Sequence, residues 1–202
     1  MSPKVSDEHK IMMKEKILKA SLSLFSKKGY YETSMDDIVE ESGFSKGAIY
    51  GYFDSKETLF LELQKNFATI NYNQLKTVID NEPTSLSKLE RAAELVFASI
   101  CDVSEEMCRM DLEFQVASSR MPKMRKQHKQ QQLAVIKLLE EVLIAGKKNG
   151  EFRADIDPGS VATILISAIN GLSNLLVTAG MKFQWDQIKD ALVSTVRVGI
   201  VR

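Results

Sequence analysis

Residues 33–60, TSMDDIVEESGFSKGAIYGYFDSKETLF, carry helix-start and helix-stop signals so closely spaced that they predict two short helices joined by a tight turn. The first helix opens with a capping hydroxyl and an acidic residue at the third position, which together form a capping box. The candidates for these two positions are Thr33 or Ser34 and Asp36 or Asp37. Gly43 ends the helix, because glycine adopts the positive φ of a tight turn at no steric cost. The pattern indicates a helix-turn-helix.

The second helix of this motif is predicted to begin at Ser45 and to expose small, basic and aromatic residues. Ile49 and Phe53 fall on its buried side. Small residues let a helix approach DNA closely, and lysine and tyrosine reach phosphates or base edges. The next helix starts after Ser55, where exposed amides and Lys56 suit a phosphate. The sequence therefore predicts a DNA-binding surface formed by Thr33, Ser34, Ser45, Lys46, Gly47, Ala48, Tyr50, Tyr52 and Lys56.

At these positions the chain resembles the TetR family of bacterial one-component transcriptional regulators. The resemblance rests on Gly29-Tyr30, Thr33-Ser34-Met35, Ile38, Gly43-Phe44-Ser45-Lys46-Gly47, Ile49-Tyr50, Tyr52-Phe53, Ser55-Lys56-Glu57 and Leu59-Phe60. From about Glu106 onward a looser pattern is similar to the ligand-sensing region of one broad branch of that family; it includes Gly150-Glu151-Phe152-Arg153, Asp157 and Asn170-Gly171-Leu172. The resemblance implies a ligand-responsive homodimer, a repressor rather than an activator, that binds a pseudo-palindromic double-stranded DNA operator. Gly51 departs from relatives that often carry a large side chain there, so operator specificity is not carried over.

Net charge gives no sign of DNA binding in this chain. The whole sequence has a formal net charge of +0, and residues 1–60 contain nine lysines and no arginine against ten acidic residues. The placement of charge is more informative, because Lys46 and Lys56 occupy positions where phosphates are expected. Few phosphate contacts give modest affinity, so specific binding is expected to need two copies of the domain.

Periodicity and capping signals predict an all-α chain of about nine helices. Residues 1–55 are expected to form the helix-turn-helix DNA-binding domain, and residues 56–202 a helical-bundle domain for ligand binding and dimerisation. The first helix is expected to bury Ile11 with the other apolar residues of its face. Ser104 is the expected cap of the sixth helix.

The eighth helix, from Pro158 to about Thr178, is apolar almost all round and must be covered on both faces. One explanation is a two-fold dimer through Leu165, Leu172 and Leu176 together with the ninth helix. The alternative is the central helix of a monomeric bundle. We expect no apolar run to be long and uninterrupted enough to span a bilayer, and the N-terminus lacks the apolar core of a signal peptide. A cytoplasmic protein is therefore expected.

The sixth helix places methionine, aromatic and acidic side chains on one stripe, which is typical of either a ligand pocket or a protein core. In a pocket, the flexible apolar side chains accept an irregular small apolar or cationic effector, and Asp111 meets a cation or a hydrogen-bond donor. In a core, Asp111 pairs with a lysine or arginine of a neighbouring helix. Asn170 and Asn174 either orient a ligand or bond to each other and to backbone. The candidate ligand-binding residues are Phe97, Met107, Met110, Asp111, Phe114, Asn170 and Asn174.

Other functional classes have weaker support in the sequence. Cys101 and Cys108 are too few for a disulfide framework and are expected to be buried thiols. His9 and His128 are expected to be solvated, since neither has partners at metal-ligand or catalytic spacing. We therefore expect no enzyme, metal or cofactor. A helical enzyme or carrier, and a module whose helix-turn-helix binds protein, remain the alternatives.

Overall fold

The computed structural model describes residues 7–102 and 105–201, and over these ranges the chain is α-helical with short connections. The helices are α1 (Asp7–Lys28), α2 (Met35–Ser42), α3 (Lys46–Tyr50), α4 (Lys56–Asn81), α5 (Ser85–Asp102), α6 (Glu105–Arg120), α7 (Pro122–Lys148), α8 (Pro158–Ala179) and α9 (Trp185–Ile200). An isolated antiparallel bridge joins Phe152 to Val201. The predicted all-α class is confirmed for the described residues, and the expected cap Ser104 lies outside them.

The helices α1, α2 and α3 form a small unit, here called the head, whose capping signals act as expected. Ser34 Oγ accepts a hydrogen bond from Asp37 N at 3.0 Å, and Asp37 Oδ2 accepts one from Ser34 N at 2.7 Å. Gly43 ends α2 with a φ of 70°. Ser45 caps α3 by accepting from Ala48 N at 3.2 Å. The predicted capping box, turn and second cap are confirmed.

The core of the head extends into the C-terminal helices. Ile17, Ile38 and Ile49 of the head are fully buried, and α4 contributes Leu59 and Phe60 to the same cluster. From α6 and α7 the cluster also takes Met110, Phe114, Ala117 and Met124. A rigid contact between the head and α6 follows, since apolar side chains in a shared core interlock closely. Ile11 does not join this core, contrary to expectation, and is 59% exposed on the outer side of α1.

A second core joins the far half of α4 with α5, α7, α8 and α9. Close contacts of Gly146 and Glu151 join α7 to α5 in this core. Gly146 of α7 faces the ring of Phe152, and a Cβ built at this glycine would overlap the ring. The carboxylate of Glu151 accepts hydrogen bonds from the amides of Ser85 and Leu86, both at 3.1 Å, and so caps α5. These contacts hold the start of α5 against the end of α7.

Helix α8 keeps a long apolar side uncovered within one chain. Ile164 and Leu175 are 66% and 43% exposed, and Val198 of the neighbouring α9 is 80% exposed. By length and composition α8 is apolar enough to cross a membrane. The expectation that no run reaches this limit was therefore wrong. An exposed apolar surface on two adjacent helices is typical of a face that another molecule covers.

Candidate DNA-binding surface and effector cavity

Helix α3 presents a short exposed surface anchored from behind. Ile49 and Phe53 are buried in the head, whereas Tyr50 is 41% exposed and Lys46 and Gly47 are also exposed. Because the two buried residues fix the orientation of the helix, Tyr50 projects outward from a rigid base. This arrangement agrees with the predicted division of α3 into an inner and an outer side.

Lys46 is held by an ion pair across the helix-turn-helix. Its Nζ lies 2.7 Å from Asp36 Oδ1 on α2. The hydrogen bond to this carboxylate, and then its charge, raise the pKa of Lys46 above the ordinary value. Both side chains are well exposed, and exposed pairs of this kind contribute little to stability. Lys46 therefore carries a full positive charge that is available for exchange from Asp36 to a phosphate.

Lys56 has a different environment from the one expected of a phosphate-binding lysine. Its Nζ donates to Tyr30 O at 2.6 Å and to Tyr31 O at 3.1 Å, and it lies 4.5 Å from the centroid of the Tyr30 ring. Burial lowers the pKa of Lys56, although nearby carboxylates including Glu32 oppose this effect. The side chain thus joins the start of α4 to the loop after α1. Its contact with a phosphate remains a prediction.

Three other predicted DNA-binding residues are partly or fully buried in the head. Thr33 is 1% exposed, and its Oγ1 donates to Gly29 O at 2.7 Å. Tyr52 lies beyond the end of α3 and packs half-buried against the head core, and Ala48 is half-buried as well. Thr33 is therefore not part of the exposed surface, because its hydroxyl and methyl groups are both enclosed. Ser34 and Ser45 remain exposed.

A large cavity lies in the C-terminal helices; because it is the candidate site for an effector, it is called the effector cavity below. Its volume is about 1360 Å³, and residues from α4, α5, α6, α7, α8 and α9 line it. Most of the wall is apolar, and amide side chains supply much of the rest. This composition is typical of small-molecule sites, in which a few polar groups orient a mainly apolar ligand.

Five of the seven predicted ligand-binding residues line this cavity: Met107, Met110, Asp111, Asn170 and Asn174. Phe97 and Phe114 do not, because both are buried in packing contacts outside its wall. Phe97 faces Trp185, and Phe114 packs edge-on against Phe60 in the head core. Leu165, predicted for the dimer interface, also lines the cavity. Helical spacing identified the apolar stripes but not which neighbour each stripe meets.

Asp111 lies in the cavity wall as an exposed carboxylate. Gln115 Nε2 donates a hydrogen bond to Asp111 Oδ2 at 2.9 Å. The core alternative, in which a buried Asp111 pairs with a lysine or arginine, does not match this environment. A carboxylate open to a cavity attracts a cationic group.

His128 on α7 is half-buried and also lines the cavity, so the expectation that it is solvated was wrong. Its ring packs edge-on against Phe114, with the centroids 5.8 Å apart. Burial lowers the pKa of His128, and the negative charge of Asp111 partly opposes this effect. The charged sequence around His128 concealed its position, because one side of α7 is solvated and the other faces the cavity.

Glutamine side chains of α7 line the cavity and were not predicted from the sequence. Asn170 Nδ2 donates to Gln132 Oε1 at 3.4 Å, which links α8 to α7 rather than to Asn174. Gln127 and Gln131, one turn apart on α7, donate to the backbone carbonyls of Leu61 and Gln64 on α4 at 2.8 and 3.2 Å. The glutamine-rich run in α7 carried this signal, since residues four apart share one helix face.

Helix α6 has one side in the cavity and another in the head core. Met110 belongs to both, since it lines the cavity and is buried in the head cluster. One turn further, Glu113 Oε2 accepts a hydrogen bond from the backbone amide of Tyr30. Helix α6 therefore connects the cavity wall to the head through a packed side chain and a hydrogen bond.

Two regions of the chain, one in each half, match known protein families. Residues 17–63 match the tetR family of bacterial regulatory proteins, and residues 87–197 match the C-terminal region of BetI-type transcriptional repressors. The chain is 30% identical over 185 residues to the HTH-type transcriptional regulator YfiR of Bacillus subtilis (strain 168), covering 85% of this chain and 83% of YfiR. It is 31% identical over 99 residues to IcaR of Staphylococcus aureus (strain Newman), a negative regulator of the icaADBC biofilm operon, covering 48% and 51% of the two chains.

Solved structures share the fold. A transcriptional regulator from Saccharomonospora viridis in complex with choline is similar with a TM-score of 0.83 and 22% identity, over 95% of this chain and 99% of that one. The fatty acid degradation regulator FadR from Bacillus halodurans gives a TM-score of 0.76 and 18% identity, over 90% and 93%. The arrangement of head, connecting helix and helical bundle is thus common to several regulators.

Proposed function

The chain belongs to the tetR family of bacterial regulatory proteins and is a DNA-binding transcriptional repressor, and we propose that it is a homodimer released from a pseudo-palindromic operator by a small molecule. The observation that carries the proposal is the position of α6, which lines the effector cavity and is buried in the head core. Since the family consists of transcriptional regulators, the cavity serves ligand sensing rather than catalysis.

The DNA-reading surface is proposed to comprise α3 and the residues before α2 and α4. Tyr50 reads base edges, Lys46 exchanges Asp36 for a phosphate, and Gly47 lets the backbone approach the duplex. Ser34 and Ser45 place the N-termini of α2 and α3 near the phosphates. In this division, residues 1–55 bind DNA and residues 56–202 bind the effector and dimerise. The protein is proposed to act in the cytoplasm, where its operator lies.

The dimer is proposed to form through the outer faces of α8 and α9. The exposed apolar side chains there include Ile164, Leu175 and Val198, and Leu172 and Leu176 flank them on the half-buried sides of α8. A two-fold interface uses the same patch on both copies, so four helices pack together. Such an interface buries the exposed apolar surface of α8 against a second copy of the chain, so that no membrane is needed to cover it. It also presents two identical heads, which is why the operator is expected to be a pseudo-palindrome.

The effector is proposed to be a compact molecule that is mainly apolar or carries a positive charge. The apolar wall with Met107 and Met110 favours the first property, and the exposed carboxylate of Asp111 favours the second. The S. viridis regulator of similar fold binds choline, a small cation. That likeness supports a cationic effector as a candidate to test first.

A binding experiment on the DNA upstream of the chain's own gene tests the function. Footprinting with the purified protein is expected to protect two half-sites related by two-fold symmetry, and added choline is the first probe for release. Protection that is independent of sequence, or none at all, would overturn the assignment of the head to operator binding. An operator complex insensitive to choline and to a panel of small apolar compounds would overturn the ligand control alone.

A further inference from the structure

Gln64 of α4 lies beside the effector cavity next to the head-core residue Leu63. The residue is part of the cavity lining, yet it is only 5% exposed. The amide nitrogen Nε2 is buried and has no hydrogen-bond partner within the described part of the chain. An unpaired buried donor is unfavourable, and most such groups in folded proteins have a partner. The cavity wall therefore contains a hydrogen-bond donor that the protein itself does not use.

The neighbouring amides are already engaged. Gln127 and Gln131 of α7 donate to the carbonyls of Leu61 and Gln64 at 2.8 and 3.2 Å. These two bonds fix α7 against the backbone of α4 on both sides of Leu63. The carbonyl of Gln64 is thus engaged, whereas the Nε2 of its side chain is unpaired among the described residues. Since its Nε2 is shielded from solvent, contact with a bound molecule requires rotation of the terminal amide toward the cavity.

The surrounding charges restrict the kind of acceptor. An amide donor is neutral, and Asp111 contributes a carboxylate to the same cavity wall. An anionic group would be repelled by Asp111, whereas the oxygen of a ketone, ester or amide accepts a hydrogen bond without this penalty. The acceptor that fits is therefore an uncharged carbonyl oxygen.

We propose that Gln64 donates a hydrogen bond through Nε2 to an uncharged carbonyl oxygen on an effector whose body is apolar. The proposal rests on the proposed function of the cavity as a ligand-sensing site. A bound carbonyl removes the unfavourable burial of the unpaired donor, so this interaction exists only in the ligand complex. Because α4 also contributes Leu63 to the head core, recognition of the carbonyl occurs on the helix that enters the head.

Matched probes test the inference without knowledge of the natural effector. Benzophenone and 1,1-diphenylethylene have nearly the same shape, but only the first has a carbonyl oxygen in place of a methylene group. 2-Undecanone and 2-methyl-1-undecene form a flexible pair of the same design. Calorimetry on the wild-type protein is expected to show tighter binding of each ketone by about fivefold, as one neutral hydrogen bond provides. In Gln64→Met the preference is expected to disappear because ketone binding weakens while alkene binding stays.

Two variants and one spectrum separate recognition from structural damage. Gln74→Met alters another glutamine of the α4 wall and should keep the ketone preference. Gln64→Met should unfold at the wild-type temperature or above, because it removes a buried unpaired donor. In an NMR spectrum, the side-chain NH₂ resonance of Gln64 is identified as the one that is missing from Gln64→Met. In the wild type this resonance should shift with benzophenone and not with 1,1-diphenylethylene.

The outcomes distinguish the inference from the function on which it rests. Equal affinity for both members of each pair in the wild type, or an unchanged preference in Gln64→Met, would overturn the role of Gln64 and leave ligand sensing intact. Failure of all four probes to bind would overturn the role of Gln64 and the claim that the cavity admits uncharged apolar effectors. Operator footprinting would still decide the regulatory function separately.

Discussion

The carboxylate of Glu113, on α6, accepts a hydrogen bond from the backbone amide of Tyr30, in the loop that follows α1. This contact joins the wall of the effector cavity to the head at the point where Lys56 also holds the Tyr30 carbonyl. Both hydrogen-bonding groups of one peptide segment are thus fixed by helices from the C-terminal region. The loop therefore connects α6 and α4 to the head.

Glu113→Gln is expected to weaken the coupling between ligand and DNA more than it weakens either binding event. The amide oxygen still accepts from Tyr30 N, but it lacks the charge that strengthens the bond. A loss of roughly threefold or more in the ligand-induced change of operator affinity is expected, which is in the range of single-residue effects on coupling. Operator titrations with and without effector measure it, and Glu94→Gln, on the exposed side of α5, is the control. Equal coupling in both variants would contradict the role of this bond.

Lys46 and Lys56 are expected to respond differently to removal of their charge. Lys46→Ala should reduce the slope of log affinity against log salt by about one, because one phosphate contact is lost. Lys56→Met should lower the unfolding temperature, because two carbonyls lose their donor. Salt-dependent operator titration and thermal unfolding of both variants test the distinction. A stable Lys56→Met protein with a reduced salt slope would contradict this structural role and support the predicted phosphate contact of Lys56.

Tyr50 is expected to contribute specificity rather than general affinity. Tyr50→Ala should cost about 1–3 kcal/mol of binding to the operator and leave binding to unrelated DNA nearly unchanged. Tyr31→Ala is the matched control, since Tyr31 is a 51% exposed tyrosine on the head outside α3. Competition titrations with operator and random duplexes measure the difference. Comparable losses in both variants would argue against α3 as the reading helix.

The sequence predicted the head well because its signals are local. Ser34, Gly43 and Ser45 determine where helices begin and end through contacts within a few residues, so the predicted caps were found. The cavity was predicted less well because helical spacing shows which residues share a face and not what covers it. Phe114, predicted for the cavity, is in the head core, and Leu165, predicted for the dimer interface, lines the cavity. The half-buried environment of His128 depends on Phe114 from another helix and had no local signal.

The dimer interface is expected to fail when a charge enters the outer face of α9 or α8. Val198→Glu and Leu175→Glu should each give monomers that bind the operator weakly, because each would bury an unpaired carboxylate in an apolar interface. Ile144→Glu, on α7, is the control, since Ile144 is equally apolar and 51% exposed but lies outside this face. Sedimentation at micromolar concentration measures the state. A wild-type monomer, or dimers in all three variants, would exclude this interface.

Mild acid is expected to destabilise the folded protein through His128. Burial lowers the pKa of this imidazole in the folded state relative to its ordinary value of 6.5, and the charge of Asp111 opposes the shift only partly. Below pH 6.5 the unfolded chain binds a proton that the folded chain binds less readily, so stability is lost as the pH falls. His128→Gln cannot take up this proton and should lose less stability between neutral pH and mild acid. Urea unfolding across this range compares the two proteins, and parallel losses in both would show that His128 does not contribute to the acid sensitivity.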